Sequence, residues 1–424
     1  MLVIFARIYM TKGHNTIITV LAQAWIWVIL FVLTQVSCTQ DKEYADTGVT
    51  LYPAISTDIE NEISTRATMN VRETSKSYDD ALIQNGTVIR VFAAPTSNDT
   101  EKRVAGSFRY NNNKWRSSVT AENNEEYCIF AITPSLLPGA SSQEFNWGVT
   151  NNVFNQDNAT LTFTNLDIIT DSDPMANIAA AGRTAQLNND GQEVDAQDNV
   201  IADPEVPTIT RGEFNIGTVD ADVSNNKVYK VWMAMDHLFA KATISFCVDE
   251  KYDEIREIRI KSARITVANG SLKGNHSYNF RTGLSLNPDQ NTPFTEKALS
   301  IDLLYGPTAT DNRTVSSDYV VLTTDYKEYG WFCFLPVSYL HDLEYPQARL
   351  QVTYDVYDKS GHVVRLNQTA GNSFPLNEFR RTDDALISPK PADHFKVKVK
   401  VKPTYAYQLI DDDAVMTLEI INTD

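Results

Sequence analysis

Residues Phe395 to Lys402 alternate without a break between apolar residues and lysine, reading Phe-Lys-Val-Lys-Val-Lys-Val-Lys. A backbone of period two puts the four apolar side chains on one face and the four lysines on the other. A helix would scatter both kinds around its circumference. This segment therefore specifies a strand with one buried and one wet face. The run from Arg349 to Val356 repeats the pattern, with Leu350, Val352, Tyr354 and Val356 on one side. Asp358-Lys359-Ser360-Gly361 then supplies the turn residues that lead into His362 to Leu366, a predicted hairpin. Shorter strands are expected at Val88 to Ala93, Phe108 to Tyr110, Tyr127 to Ile132, Leu161 to Phe163, Ala242 to Val248 and Ile258 to Val267. Short strands separated by Asn, Asp, Gly and Pro predict an all-β chain built of β-sandwiches, with few short helices. The one helical period falls on Val228, Val231, Trp232, Met235 and Phe239, where a short helix is expected to lead into the strand from Ala242. Residues 183–226 are polar and acidic and read as a long loop approaching a domain boundary near 225.

The start of the chain carries a different signal. Residues Ile17 to Val36 hold no charge, and the only charges before Cys38 are Arg7 and Lys12. A positive start, an apolar run and then Val36-Ser37-Cys38 form the layout of a lipoprotein signal peptide, with Gln35 standing where a leucine is usual. Such a peptide would span residues 1–37 and leave Cys38 as the acylated first residue. Each buried acyl methylene contributes about 0.8 kcal/mol to membrane affinity, so several chains form a durable anchor. An uncleaved membrane helix is the alternative for 20 apolar residues. The abrupt stop at a cysteine, with no basic cluster after it, favours the lipoprotein. Residues 38–66 then read as an extended leader.

Taking 37 residues from 424 leaves 387, enough for two domains with separate cores. The net charge is −17, and losing Arg7 and Lys12 makes the mature chain −19. Nucleic acid is thereby excluded as a partner, since its binding depends on cations that displace counterions. Cys128, Cys247 and Cys333 sit in apolar alternating runs and read as small buried hydrophobes. Their spacing suits no zinc site, and neither a metal nor another cofactor is expected.

Catalytic patterns are missing: there is no HExxH, GxSxG, P-loop or GxGxxG. His237, His276, His341, His362 and His394 are scattered singly. Carboxylates are abundant, as on any solvated acidic surface, and their spacing singles out no glycosidase pair. The acidic loop around Gly191 would offer Gln186 and Gln197 as the first and last ligands of a calcium loop, which are poor ligands, so it reads as a surface loop. Arg66, within Ile63-Ser64-Thr65-Arg66-Ala67-Thr68, is a basic residue among small polar ones in an extended leader, a place open to a protease.

Several segments taken in order carry a resemblance. Ser64-Thr65-Arg66-Ala67-Thr68 follows the lipidated cysteine, and Val88-Ile89-Arg90-Val91-Phe92-Ala93 follows that. Then come Phe108, Tyr110 and Trp115 in a hairpin, Tyr127 to Pro134, Asp173-Pro174-Met175-Ala176-Asn177, and His237-Leu238-Phe239-Ala240-Lys241. This order resembles the fimbrillin family, lipoproteins that build type V pili on Gram-negative outer membranes. The resemblance implies two transthyretin-like β-sandwich domains in tandem, expected at 67–225 and 226–424. It implies an outer-membrane, cell-surface location, no enzymatic activity, and other pilus subunits as partners, with a host protein or glycan as a further partner. In polymerising members a trypsin-like protease cuts after a leader arginine, which matches Arg66 and Ala67. The cut removes the leader and an N-terminal strand, and a neighbour's C-terminal strand fills the groove. Here the tail 404–424 is the candidate donor, with Val415, Met416, Leu418 and Ile420 in its last extended run. A hairpin of that tail on its own domain is the alternative. The competing function is a surface glycan-binding or adhesin lipoprotein that does not polymerise, with Trp147 or Trp331 as stacking platforms. A surface hydrolase is disfavoured.

Overall fold

A computed structural model describes residues 48–56, 68–69, 86–112, 114–188, 192–202, 205–221, 227–292, 294–301, 319–336, 339, 347–377, 379–380, 386–403 and 416–420. The chain is all-β. Among the described residues one α-helix occurs, the single turn Glu250–Asp253, capped by the Asp249 side chain. No helix among them is long and apolar enough to cross a membrane. The apolar run before Cys38 lies outside the described residues.

Three large sheets organise the fold. The strands of a nine-stranded sheet run in the order Lys114–Ser117, Val104–Asn111, Val88–Pro95, Glu126–Thr133, Met175–Gln186, Lys227–His237, Gly48–Ser56 and Thr120–Glu122, with Asn215–Thr218 paired onto Glu126–Thr133. A five-stranded sheet runs Ile169–Thr170, Lys327–Phe334, Ala240–Val248, His394–Pro403 and Met416–Ile420. An eight-stranded sheet runs Val363–Pro375, Gln347–Asp358, Arg256–Asn279, Val153–Asp167 and Ser142–Thr150, with three short strands added to Arg256–Asn279.

The alternation from Phe395 does what its period requires. Phe395, Val397, Val399 and Val401 are buried, and the intervening lysines line the other face. They pack with Ile244, Phe246, Phe332 and Phe334 of the same sheet against Ile258, Ile265, Leu350 and Val352 of the eight-stranded sheet. The 24-residue strand Arg256–Asn279 serves two cores. Its first half lies in that sandwich, whereas Tyr278 packs with Phe145, Leu161 and Phe163 against Phe92, Phe130 and Phe214.

Two expectations from the sequence are corrected. Residues 227–237 form a strand and not a helix, antiparallel to Met175–Gln186. The helical spacing misleads because Val231, Trp232, Met233, Ala234 and Met235 are all buried. A strand covered on both faces shows no alternation, and a continuous apolar run then mimics a helix period. The segment 183–226 is also more than a loop. It contributes the strand Asn215–Thr218 and buries Ile209, Phe214, Ile216 and Val219. These apolar residues are spaced among acidic ones, which hides them in composition.

The hairpin over Gln347–Asp358 and Val363–Pro375 agrees with the sequence reading. Gly361 takes φ 84°, and the Asp358 carboxylate accepts from the backbone amides of Ser360 and His362, an Asx-type turn. The three described cysteines are free and buried, and burial pushes the Cys128 thiol up to about 12.

Candidate functional site

The site of interest is the seat of the first described strand, Gly48–Ser56. Its sequence alternates Val49, Leu51, Pro53 and Ile55 with Thr50, Tyr52, Ala54 and Ser56. The strand lies between Lys227–His237 and Thr120–Glu122. It runs parallel to Lys227–His237, with Leu51 opposite Tyr229, Pro53 opposite Val231 and Ile55 opposite Met233. On the other side the Leu51 amide donates to the Val119 carbonyl at 2.9 Å. Pro53 offers no N–H, and a proline fits a strand only where one side makes no such demand.

Val49, Leu51 and Ile55 enter a core with Ile89, Phe108, Ile129, Val231, Met233 and Met235. Their exposures are 3%, 0% and 4%, as low as any central strand. Ala54 faces the opposite way, onto Ile178, Ile209 and Trp232. Arg183 and Lys230 stand over the Trp232 ring at 5.0 and 4.9 Å, and Arg183 also pairs with Glu193 at 2.5 Å. The wall of the seat requires a glycine at 182. A Cβ there would lie 2.5 Å from the Tyr229 ring and 2.9 Å from the Ile216 carbonyl. Tyr229 uses its hydroxyl to donate to that same carbonyl at 2.5 Å, and burial raises its pKa to about 12.

Two segments singled out in the sequence meet beside this sheet. His237 Nδ1 donates to Asp173 Oδ1 at 2.8 Å, and the Leu238 amide donates to the Pro174 carbonyl at 2.8 Å. Nothing in the composition of either segment announces this pairing. Asn177 is a second residue whose role was not legible. It is fully buried at a β-bulge, accepts from the Ala131 amide at 2.7 Å and donates to the Ile129 carbonyl at 2.9 Å. A polar residue inside an apolar run, Met175-Ala176-Asn177-Ile178, was the available signal.

The residues expected to carry processing and exchange fall at the margins. Cys38, Arg66, Ala67 and Val415 lie outside the described residues. Met416, Leu418 and Ile420 belong to the strand Met416–Ile420, which pairs antiparallel with His394–Pro403 of its own chain. Leu418 stands opposite Val401 and Ile420 opposite Val399. Neither tryptophan is a bare platform. Trp147 is half-buried beneath Arg103 and edge-on to Phe145, and Trp331 lies under Lys241 at 4.4 Å. In the acidic loop the Asp195 carboxylate accepts from the amides of Gln197 and Asn199. These bonds to the charged form lower its pKa, led by those from Asn199.

No protein-family model matches the chain, and no curated protein matches it. Two solved structures similar to it are of fimbrial proteins. A fimbrial protein from Bacteroides vulgatus is 13% identical, with 89% of this chain and 99% of that chain covered and a TM-score of 0.40. The fimbrial anchor protein Mfa2 from Porphyromonas gingivalis is 11% identical, with 88% and 98% covered and a TM-score of 0.26.

One titration is expected to register in stability. His276 is buried, takes the Asn287 amide on Nδ1 at 3.1 Å and donates from Nε2 to the Leu272 carbonyl at 3.4 Å. Burial lowers its pKa below the ordinary imidazole value. The unfolded chain therefore binds the proton more readily than the folded one. The contribution of neutral His276 is complete above the ordinary value of about 6.5 and is lost as pH falls toward the depressed folded value. Melting temperatures measured between pH 7 and pH 5 should decline, and the decline should be shallower in a His276→Gln variant.

Proposed function

We propose that this chain is a structural or accessory subunit of a cell-surface pilus. In this reading it is exported as a lipoprotein acylated at Cys38 and anchored to the outer membrane. A cut between Arg66 and Ala67 releases the leader together with the first strand, and subunits of the same or related kind then exchange strands. It is a non-enzymatic role, with 67–225 and 226–424 as tandem sandwich domains. The observation that carries the reading is the seat of Gly48–Ser56. A strand that precedes the candidate cleavage point lies inside the nine-stranded sheet, between Lys227–His237 and the short edge strand Thr120–Glu122, and fills its core with Val49, Leu51 and Ile55. Its removal would leave the backbone groups of the Lys227–His237 strand unpaired beside an apolar slot, which an extended apolar segment from another chain satisfies by β-augmentation.

A second reading, a surface adhesin that does not polymerise, is favoured by the tail. Its strand Met416–Ile420 is already engaged with His394–Pro403 of the same chain. Limited proteolysis separates the two. Trypsin acting on the folded protein should cut first at Arg66, giving a product that begins Ala67-Thr68-Met69 and that light scattering detects as oligomers. First cleavage within 183–226, or a product cut at Arg66 that stays monomeric, would favour the adhesin.

A further inference from the structure

A cavity of about 760 Å³ opens on the eight-stranded sheet, on the face opposite the buried Phe145, Leu161 and Tyr278. Its lining follows from the register. Glu144 stands opposite Thr162, Thr162 opposite Ser277, and Ser277 opposite Ser285, so one carboxylate and three hydroxyls form a single row across four strands. The neighbouring row holds Ser142, Thr164 and Asn275, and Asn287 closes the end. Some of these groups serve the fold: Ser142 and Thr164 hydroxyls bond each other at 2.9 Å, and Gln143 is taken up by Leu137 and Ser135. The side chains of Glu144, Asn275, Ser277, Ser285 and Asn287 make no hydrogen bond among the described residues.

We propose that this cavity is a binding site for a neutral sugar, either a free glycoside or the terminal residue of a glycan. Its size lies within the range of small-ligand sites, roughly 300–1,000 Å³. A pyranose presents adjacent hydroxyls that both donate and accept. A carboxylate and an amide satisfy such pairs, and serine and threonine hydroxyls adapt to either role. No lysine or arginine lines the cavity, and Glu144 is its one charged side chain. A phosphate, sulfate or uronate would meet repulsion there with no cation to offset it. Thr162 and Thr164, together with Phe163 in the lining, offer apolar contact for the sugar's C–H surface. The site is independent of strand exchange, so its failure leaves the pilus reading untouched.

Saturation-transfer NMR on the full chain tests it with the methyl glycosides of galactose, mannose and N-acetylglucosamine, and with glucuronic acid as the anionic control. At least one neutral glycoside should receive saturation with a Kd near 1 mM, about −4 kcal/mol. Glucuronic acid should receive none. Glu144→Ala combined with Asn275→Ala should weaken binding at least about tenfold, or 1.4 kcal/mol, without moving the melting temperature, because both side chains are exposed. Ser285→Ala provides the same reading with a smaller perturbation. An array of neutral glycans, run in parallel, distinguishes a terminal glycan residue from a free glycoside. The proposal is overturned if no neutral glycoside or glycan binds, if the double variant binds as well as the parent, or if glucuronic acid binds equally.

Discussion

A chain that begins at Ala67, and so lacks Gly48–Ser56, is expected to melt on the order of 10–20 °C below the full protein or to aggregate on purification. Val49, Leu51 and Ile55 are almost completely buried in the core of the nine-stranded sheet. Burial of each such side chain contributes about 1.5–3 kcal/mol, so the three together contribute roughly 5–9 kcal/mol. Typical total stabilities are about 5–15 kcal/mol, and 1 kcal/mol shifts the melting point of a large domain by about 2 °C. Loss of the strand is thus comparable to the whole margin of stability. A synthetic peptide of Gly48–Ser56 should restore the melting temperature when added in excess, and the same peptide with Leu51→Asp should not. The comparison by differential scanning calorimetry is direct. A truncated chain that melts within about 2 °C of the parent would show that the strand is dispensable, and the seat would lose its meaning.

The second large effect is expected at Asn177. Its amide bridges the Ala131 N–H and the Ile129 carbonyl inside the molecule, at a place where the strand Met175–Gln186 bulges away from its partner's regular register. Asn177→Ala leaves one buried donor and one buried acceptor without partners, each costing about 1–3 kcal/mol. The loss should total about 2–5 kcal/mol, read as a lower urea midpoint at unchanged m-value. Asn177→Asp should fare no better, since a carboxylate cannot donate to the Ile129 carbonyl and would carry a buried charge. A loss below about 0.5 kcal/mol would mean that water takes over the bridge.

Much of the architecture was legible because sheet formation writes a period of two wherever one face is wet. Phe395 to Lys402 and Arg349 to Val356 announce themselves in this way, and both occupy sandwich strands with the expected faces inward. The reading failed where a strand is covered on both faces. Residues Val231 to Met235 are buried throughout, so nothing alternates and the spacing falls by chance near that of a helix. It failed again where apolar residues are diluted, as at Phe214 and Ile216 in an acidic stretch. The seat itself could not be read, because Gly48–Ser56 joins a strand nearly 180 positions later in the chain. Parallel pairing at that separation leaves no local trace. The cavity beside Glu144 was hidden for the same reason: its rows combine four strands in two sequence-adjacent pairs from distant parts of the chain, each an ordinary polar face by itself.

The central claim concerns what fills the seat after cleavage, and photo-crosslinking tests it most directly. A photoreactive phenylalanine analogue in place of Leu418 reports on whichever strand lies beside the tail. In the intact chain it should label residues 394–403, with which Met416–Ile420 is paired. After cleavage at Arg66, mass spectrometry of isotopically mixed copies should find the label on residues 227–237 of a second copy, the strand that Gly48–Ser56 leaves uncovered. Labelling that remains on residues 394–403 of the same copy, before and after cleavage, would contradict strand exchange and leave a surface protein that keeps its tail to itself.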